Sequence, residues 1–413
     1  DDFGAVGDGV TDDSAKIQAA IDSFVEWGNW DSHGIDYWAT LDHNSVVAIY
    51  KIFEGESYDV SSAEANGYDH WKNSGKPNYT LVDALANDTT RDAEIRNSMP
   101  KRNGGCVKLG NKRYAIHQNI YVRQNITLEG IHESPSFLKG KDSVPTGLIF
   151  LKDDAEINVT STASVTKCYI IKHGLDGDQY GDQNFSGIGV RIVDGDSAVT
   201  NCFIGGFEYG VYANLGNQAS GGSETGSGRI RLRNLNMDNT NGIYLRESWD
   251  ISYIENIHCW PFLTQAPNPD GIPISEEFHT FRSGTGISLR GMNDFTKITD
   301  CFTYGYKIGF EVNKGRNVIL KGCSADNTSS YTWDAIELDN QTGNHHLPGT
   351  IGFKLGDNND VAYDQGSKTW SDTYGRFGAP LLISCQVTAH EIGMLINCPG
   401  TEVAQVTDCQ VWS

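Results

Sequence analysis

No apolar run in this chain approaches the ~18 residues needed to span a bilayer. Basic residues are also in short supply, with 32 Lys and Arg against 53 Asp and Glu and a net charge of −21. Membrane insertion is therefore not expected, and nucleic acid backbones and anionic membrane surfaces should be repelled. Proline is scarce, at 11 of 413 residues, and glycine recurs in no collagen-like period. The nine cysteines are odd in number and contain no CxxC pair. Neither a disulfide scaffold nor a zinc site is expected, and buried thiols acting as small hydrophobes fit better. Residues 173–178 are rich in Asp and Gly but lack the spacing of an EF-hand loop. His345 and His346 read as loop. No metal and no cofactor are expected. The opening DDFGAVGDGV has neither a basic segment nor an apolar core, so no signal peptide is legible.

What is present points to an ordered, elongated protein. Hydrophobic residues make up 38% and aromatics 10%, enough for a long thin core and too much for disorder. A chain of this length suits several domains or a one-dimensional stack of repeats. Three segments are expected. Residues 1–25 hold an opening motif and a helix over 14–24, capped by Thr11 or Asp12, with Ala15, Ile17, Ala20, Ile21 and Phe24 at roughly helical spacing. Residues 26–103, rich in Trp, Tyr, Asp and Asn, read as an inserted subdomain or long loops. From 104 to 413, short apolar strands alternate with Gly and Asn turns.

These strands repeat. SAVTNCFIGGFEYGVYAN, IRLRNLNMDNT with NGIYLRE, WDISYIENIHCWPF with SGTGISLRGM, NDFTKITDCFTYGYKIGFEVNKG and GAPLLISCQVTAHEIGMLINCPG align as rows. Each row offers three apolar patches and about 22 residues, so each can wind one coil of three strands, stacked ~4.8 Å above the last. The alignment sends Leu232, Ile254, Ile298, Leu320 and Leu382 inward. It does the same for Cys202, Leu235, Ile257, Cys301, Cys323, Cys385 and Cys409. Asn201, Asn234, Asn256, Asp300 and Asp408 precede that column, where amide ladders at a tight turn are expected.

Residues 2–13, DFGAVGDGVTDD, with IQAAI at 17–21, resemble the opening motif of the pectate-lyase-like β-helix family, which includes many phage tailspikes and depolymerases. GGCVKL at 104–109, Tyr114, and NITLEG at 125–130 resemble its first coils. The resemblance implies an all-β fold, a right-handed parallel β-helix solenoid with a capping helix and an inserted subdomain. It also implies a homotrimer that meets a bacterial surface polysaccharide (capsule, exopolysaccharide or O-antigen) at a virion tail, with secretion as the alternative. The motif is specific for fold and weak for reaction, because members include hydrolases, lyases and non-catalytic binders. It begins at residue 1, and the last row is partial, so flanking segments are expected on both sides.

The outward positions suggest where a sugar chain could lie. The first strands expose Arg231 and Arg233, Tyr253 and Glu255, then Lys297. Just beyond come His258 and Trp260, then Phe302 and Tyr304, then Asp326, and the third strands set Arg246 beside Arg290. Sugars need aromatic faces for stacking, and acidic sugars need arginine. The insertions at 261–283, with Glu276, Glu277 and His279, and at 329–349 are expected to wall this surface. Hydrolysis needs two carboxylates ~5–5.5 Å or ~6.5–9.5 Å apart. Glu255 is the first candidate, followed by Asp250 and Asp294 as neighbours in one column, and Asp238. Asp250 and Asp294 also suit a turn-capping role. The expected activity is endo-acting glycoside hydrolysis. The alternatives are β-elimination on a uronate-containing glycan, with Tyr253, His258 or Lys297 as base and Arg231 or Arg233 as neutraliser, and glycan binding without turnover.

Overall fold

The structure, a computed structural model, describes residues 2–27, 100–131, 148–152, 154–173, 185–215, 228–248, 250–265, 282–327, 347–356, 380–388, 390–397 and 404–412. It is a parallel β-helix whose coils present three faces. Strands Gly105–Lys108, Ile126–Glu129, Ser164–Thr166, Lys297–Thr299, Ile319–Lys321, Leu381–Ile383 and Gln405–Thr407 lie on the first face. Strands Arg113–Ile116, Leu148–Leu151, Tyr169–Lys172, Phe302–Tyr304, Ser324–Asp326, Gln386–Thr388 and Gln410–Trp412 form the second, together with Asp8–Asp12 at its base. Ala198–Gly205, Arg231–Asp238 and Tyr253–Cys259 run through the corner and serve both faces, which therefore join in one 18-stranded sheet. The third face is a separate 9-stranded sheet running from Ile120–Val122 to His390–Ile396. Coil pairs with coil in parallel throughout, as in Leu232 opposite Ile254 and Ile254 opposite Ile298.

Alternation along each strand creates the core. Leu232, Ile254, Ile298, Leu320 and Leu382 are all buried in one column, and one apolar cluster runs from Ile17 to Val387. Burying each such side chain contributes roughly 1.5–3 kcal/mol. The cysteine column is as expected: Cys202, Cys301, Cys323 and Cys385 are buried thiols, while Cys409, in the final coil, is half-buried. Burial raises the Cys259 thiol pKa, and the neighbouring Cys202 thiol together with desolvation raises that of Cys168. The residue before this column takes the left-handed conformation, with φ of 54° at Asn201, 55° at Asn234, 52° at Asn256 and 54° at both Asp300 and Asp408. Asn tolerates that region because its short side chain bonds locally. The amide of Asn256 donates to Asn234 and that of Asn234 to Asn201, each at 2.9 Å, giving the ladder.

A second column explains why the third face can lie so close to the second. Gly189, Gly210, Gly242, Gly286, Gly309, Gly352 and Gly393 stack from coil to coil. A methyl on Gly242 would run into the Gly286 carbonyl and the Cys259 sulfur, and one on Gly286 would run into Thr303 and the Gly309 carbonyl. Close approach of backbone to backbone requires glycine here.

The helix is Ser14–Asp22, shorter than the expected 14–24, with Asp13 in the cap position. Asp13 uses its carboxylate on the Val6 and Gly7 N–H groups, and the Asp12 carboxylate accepts the Ser14 N–H. Ala15 and Phe24 are exposed, and Ile17, Ala20 and Ile21 face the core. Gln18 accepts the Tyr121 N–H and donates to the Tyr121 carbonyl, so its amide stands in for a missing strand at the base of the third face. Val25–Trp27 pairs antiparallel with Pro100–Asn103, so the chain leaves and returns as a two-stranded ribbon around the insertion. Residues 28–99 lie outside the described residues.

Candidate functional site

Four coils, beginning at Arg231, Tyr253, Lys297 and Ile319, bring the charged candidates together on the first face. Arg231, Tyr253 and Lys297 occupy one outward column, and Arg233, Glu255, Thr299 and Lys321 the next. The Arg233 Nε donates to Glu255 Oε2 at 2.6 Å. The Lys297 ammonium sits 5.5 Å from the centre of the Tyr253 ring, a cation–π contact. Glu255 is flanked in its column by Arg233 and Thr299. Among the described residues, no second carboxylate occupies the first face of these coils.

Across the Asn234–Asn256 corner, the second face carries an aromatic platform. His258 and Phe302 are directly opposite, with ring centres 5.3 Å apart. Trp260 stacks on Tyr304 at 4.2 Å and faces Phe302 at 6.2 Å. Tyr304 is buried, while His258, Trp260 and Phe302 are half-buried, so the open part of the platform belongs to these three. Burial lowers the pKa of His258, favouring the neutral imidazole. On one side the platform is walled. After Pro261 a single helical turn, Phe262–Gln265, folds back over the strands below. Leu263 there packs with Tyr169, Ile171, Phe185 and Phe203.

Asp238 is what holds this wall, and that corrects its expected role. Alternation points it outward, yet it is fully buried and ion-paired with an equally buried Arg282, 2.7 Å from Nη2. Its other oxygen accepts the Leu263 N–H at 2.6 Å. Buried charges survive only when paired and hydrogen-bonded. The carboxylate ties together the two residues, Leu263 and Arg282, that bracket an insertion, and it is closed to a sugar.

The expected pairing of Asp250 with Asp294 does not form. Asp250 is a left-handed corner residue, φ 61°, whose counterpart on the next coil is Phe295, φ 53°. Two residues separate Asp250 from the following strand, which starts at Tyr253, where one suffices between Phe295 and Lys297 and between Arg229 and Arg231, so the column slips. Asp250 caps the Ile251 N–H and lies 3.6 Å from Arg229. Asp294 closes the third-face strand, its N–H on the Ser248 carbonyl. Both fit the turn role better than a catalytic one. Arg246 and Arg290 do stack, but on the third face and in ion pairs with Glu247 at 3.5 Å and Glu311 at 2.8 Å. Glu276, Glu277, His279, His345 and His346 lie outside the described residues, as do most of the two insertions.

The residues that alternation alone missed are those placed by tertiary contacts. Arg282, Phe262 and Leu263 define the wall. Asp326, by contrast, lies where the row alignment set it, half-buried and opposite Tyr304 on the next coil. Among the described residues, no cluster of three His, Cys, Asp or Glu side chains could hold a metal ion, and no helix is long and apolar enough to cross a membrane.

No family model and no curated protein matches this chain. Solved structures do. ORF18 of Geobacillus virus E2 shares 15% identity at a TM-score of 0.32, covering 80% of this chain and 57% of its own. A tailspike protein of E. coli bacteriophage HK620, solved with a pentasaccharide, shares 10% at 0.35, covering 81% and 63%. The A-module of the Azotobacter vinelandii mannuronan C-5 epimerase AlgE4 shares 13% at 0.30, covering 100% and 94%. The chain thus spans under two thirds of the length of the first two. At such identity and overlap, no residue role is carried across.

Proposed function

We propose that this chain is a tailspike-type depolymerase. It holds a bacterial surface polysaccharide along the strip formed by the first and second faces and cleaves it internally by glycoside hydrolysis. The observation that carries this reading is the juxtaposition of half-buried rings, His258, Trp260 and Phe302, with the Arg231, Arg233, Glu255, Tyr253 and Lys297 group on one rigid sheet. Rings supply stacking faces, and fixed charges supply orientation, which is what a long polar polymer requires. Glu255 is the proposed acid–base carboxylate, held in orientation by Arg233. Its partner carboxylate is proposed to come from an insertion, with Glu277 as the candidate. A homotrimer at a virion tail is the proposed setting.

One observation favours a second reaction. Among the described residues Glu255 is the lone carboxylate on the first face of these coils, whereas β-elimination needs a single base and a cation to neutralise the uronate carboxylate. His258, held neutral by burial, suits the base and Arg231 the neutraliser. Incubation with a panel of capsular and O-antigen polysaccharides separates the readings. Falling viscosity with new reducing ends, abolished in Glu255→Gln, supports hydrolysis. New ultraviolet absorbance from an unsaturated uronate supports elimination. Tight retention of a polymer whose length never changes would leave a non-catalytic binder and refute cleavage.

A further inference from the structure

We infer that the glycan is acidic and that its acid groups are sugar carboxylates, received by Arg231 and Lys297 on either side of Tyr253. This deepens the proposed function and rests on the strip being a glycan site.

The first face leaves positive charge uncompensated by the described residues. The chain as a whole carries −21, so a cation placed at random would find acids close by. On the third face that is what happens: Arg191 is bound to Glu156 by both Nε and Nη2, and Arg290 and Lys354 converge on Glu311. On the first face of the four site coils the balance is reversed. Arg231, Arg233, Lys297 and Lys321 face outward with one acid, Glu255, and that acid is taken by Arg233. Among the described residues, Arg231, Lys297 and Lys321 have no carboxylate partner. Like charges stacked on a sheet repel. A sheet that, among the described residues, leaves three cations without a carboxylate in an otherwise acidic molecule is complementary to an anion.

Geometry narrows the anion to one borne on a sugar. Arg231 and Lys297 lie in the column of Tyr253, one coil to each side, so they stand about 10 Å apart across the ring at the usual strand spacing. A sugar stacked on Tyr253 would present a ring substituent to either cation. The guanidinium fork of Arg231 matches a carboxylate or a phosphate in two-pronged fashion. A carboxylate on the sugar ring is the group that lies within reach of a ring already stacked below it.

Retention of the protein by the polysaccharide panel, each polymer tested native and after carboxyl reduction, decides the matter. Reduction removes carboxylates and spares phosphates and sulfates. Uronate-bearing members should retain the protein, and reduction should weaken retention by about tenfold or more, as should Arg231→Gln with Lys297→Gln in a protein of unchanged melting temperature. Retention by a neutral polymer, or retention that reduction leaves intact, would overturn the inference while the glycan reading stands. Intact retention that phosphatase abolishes would assign the cations to phosphate instead. Failure of every polymer to retain the protein would remove the glycan reading, and this inference with it.

Discussion

The first and third faces use the same residue types to opposite ends. On the third face, Tyr212 stacks on Tyr244 with ring centres 5.0 Å apart, and Arg191 lies over Tyr212 at 5.0 Å. Every cation named there also has its acid. Glu311, fully buried, takes Ser288, Arg290 and Lys354 at 3.0, 2.8 and 3.0 Å. On the first face, the Tyr253 ring meets Lys297, but Arg231, Lys297 and Lys321 have no acid among the described residues. Composition cannot distinguish the two faces. What separates them is whether the bonding capacity is spent inside the molecule or left for a ligand. Closure of that kind marks a structural surface, and its lack marks a candidate binding surface.

Two isosteric substitutions should break this contrast most sharply, because their effects should cross. Glu255→Gln removes the proposed catalytic charge from an exposed pair. Cleavage should fall about 10²–10⁴-fold, while stability changes by less than about 1 kcal/mol. Glu311→Gln leaves Arg290 and Lys354 without their buried acid. Urea denaturation should show a loss of about 3–5 kcal/mol, with per-molecule cleavage unchanged in the folded fraction. If both variants lost activity with intact folding, the division between faces would be wrong.

Protons offer the next lever. His390 starts a third-face strand and is buried, its Nδ1 3.2 Å from the Asn327 amide. Burial depresses its pKa from 6.5 to about 4. The folded state thus binds fewer protons than the unfolded chain below pH 6.5. The stability that this residue contributes is complete above 6.5 and is lost as pH falls towards 4. Between pH 7 and pH 5 the loss attributable to it should be about 2 kcal/mol. Unfolding curves at both pH values, compared between wild type and His390→Gln, measure it. An identical pH dependence in the two proteins would refute the assignment.

On the binding side, Trp260→Leu keeps bulk and removes the stacking face. Affinity electrophoresis in polysaccharide gels should show roughly three- to tenfold weaker retention. Unaltered retention would place the sugar away from the platform.

Much of this was readable in the sequence, and the misreadings have physical causes. The inward Leu and Ile column, the thiol column and the Asn ladder follow from period-two alternation and turn chemistry, which are local. The glycine column was equally present in the rows, before the apolar pairs of GIYL, GISL, GFEV and GFKL, but isolated Gly reads as a turn or bulge signal. Its real cause is close approach between coils. Asp238 looked exposed because alternation cannot foresee that Leu263 and Arg282 return to bury it. Asp250 and Asp294 looked aligned because a one-residue corner insertion is invisible to a row alignment. Glu255 and Arg233 were placed correctly, since adjacent coils in strict register make neighbours of residues 22 apart.

The smallest expected effect tests the comparison from its quiet side. Arg246 is a half-buried third-face arginine, 3.5 Å from Glu247, and it lies beside the Tyr212–Tyr244 stack. By residue type alone it would qualify for sugar binding as well as Arg231 does. Because its charge is already matched, Arg246→Gln should leave polysaccharide retention within a factor of about two and cost less than about 1 kcal/mol in stability. Arg231→Gln, assayed alongside, should weaken retention about tenfold at no cost in stability. Equal losses from the two would mean that the polymer crosses both faces. A loss from Arg246→Gln alone would move the site to the third face, where the stacked tyrosines would then be its platform.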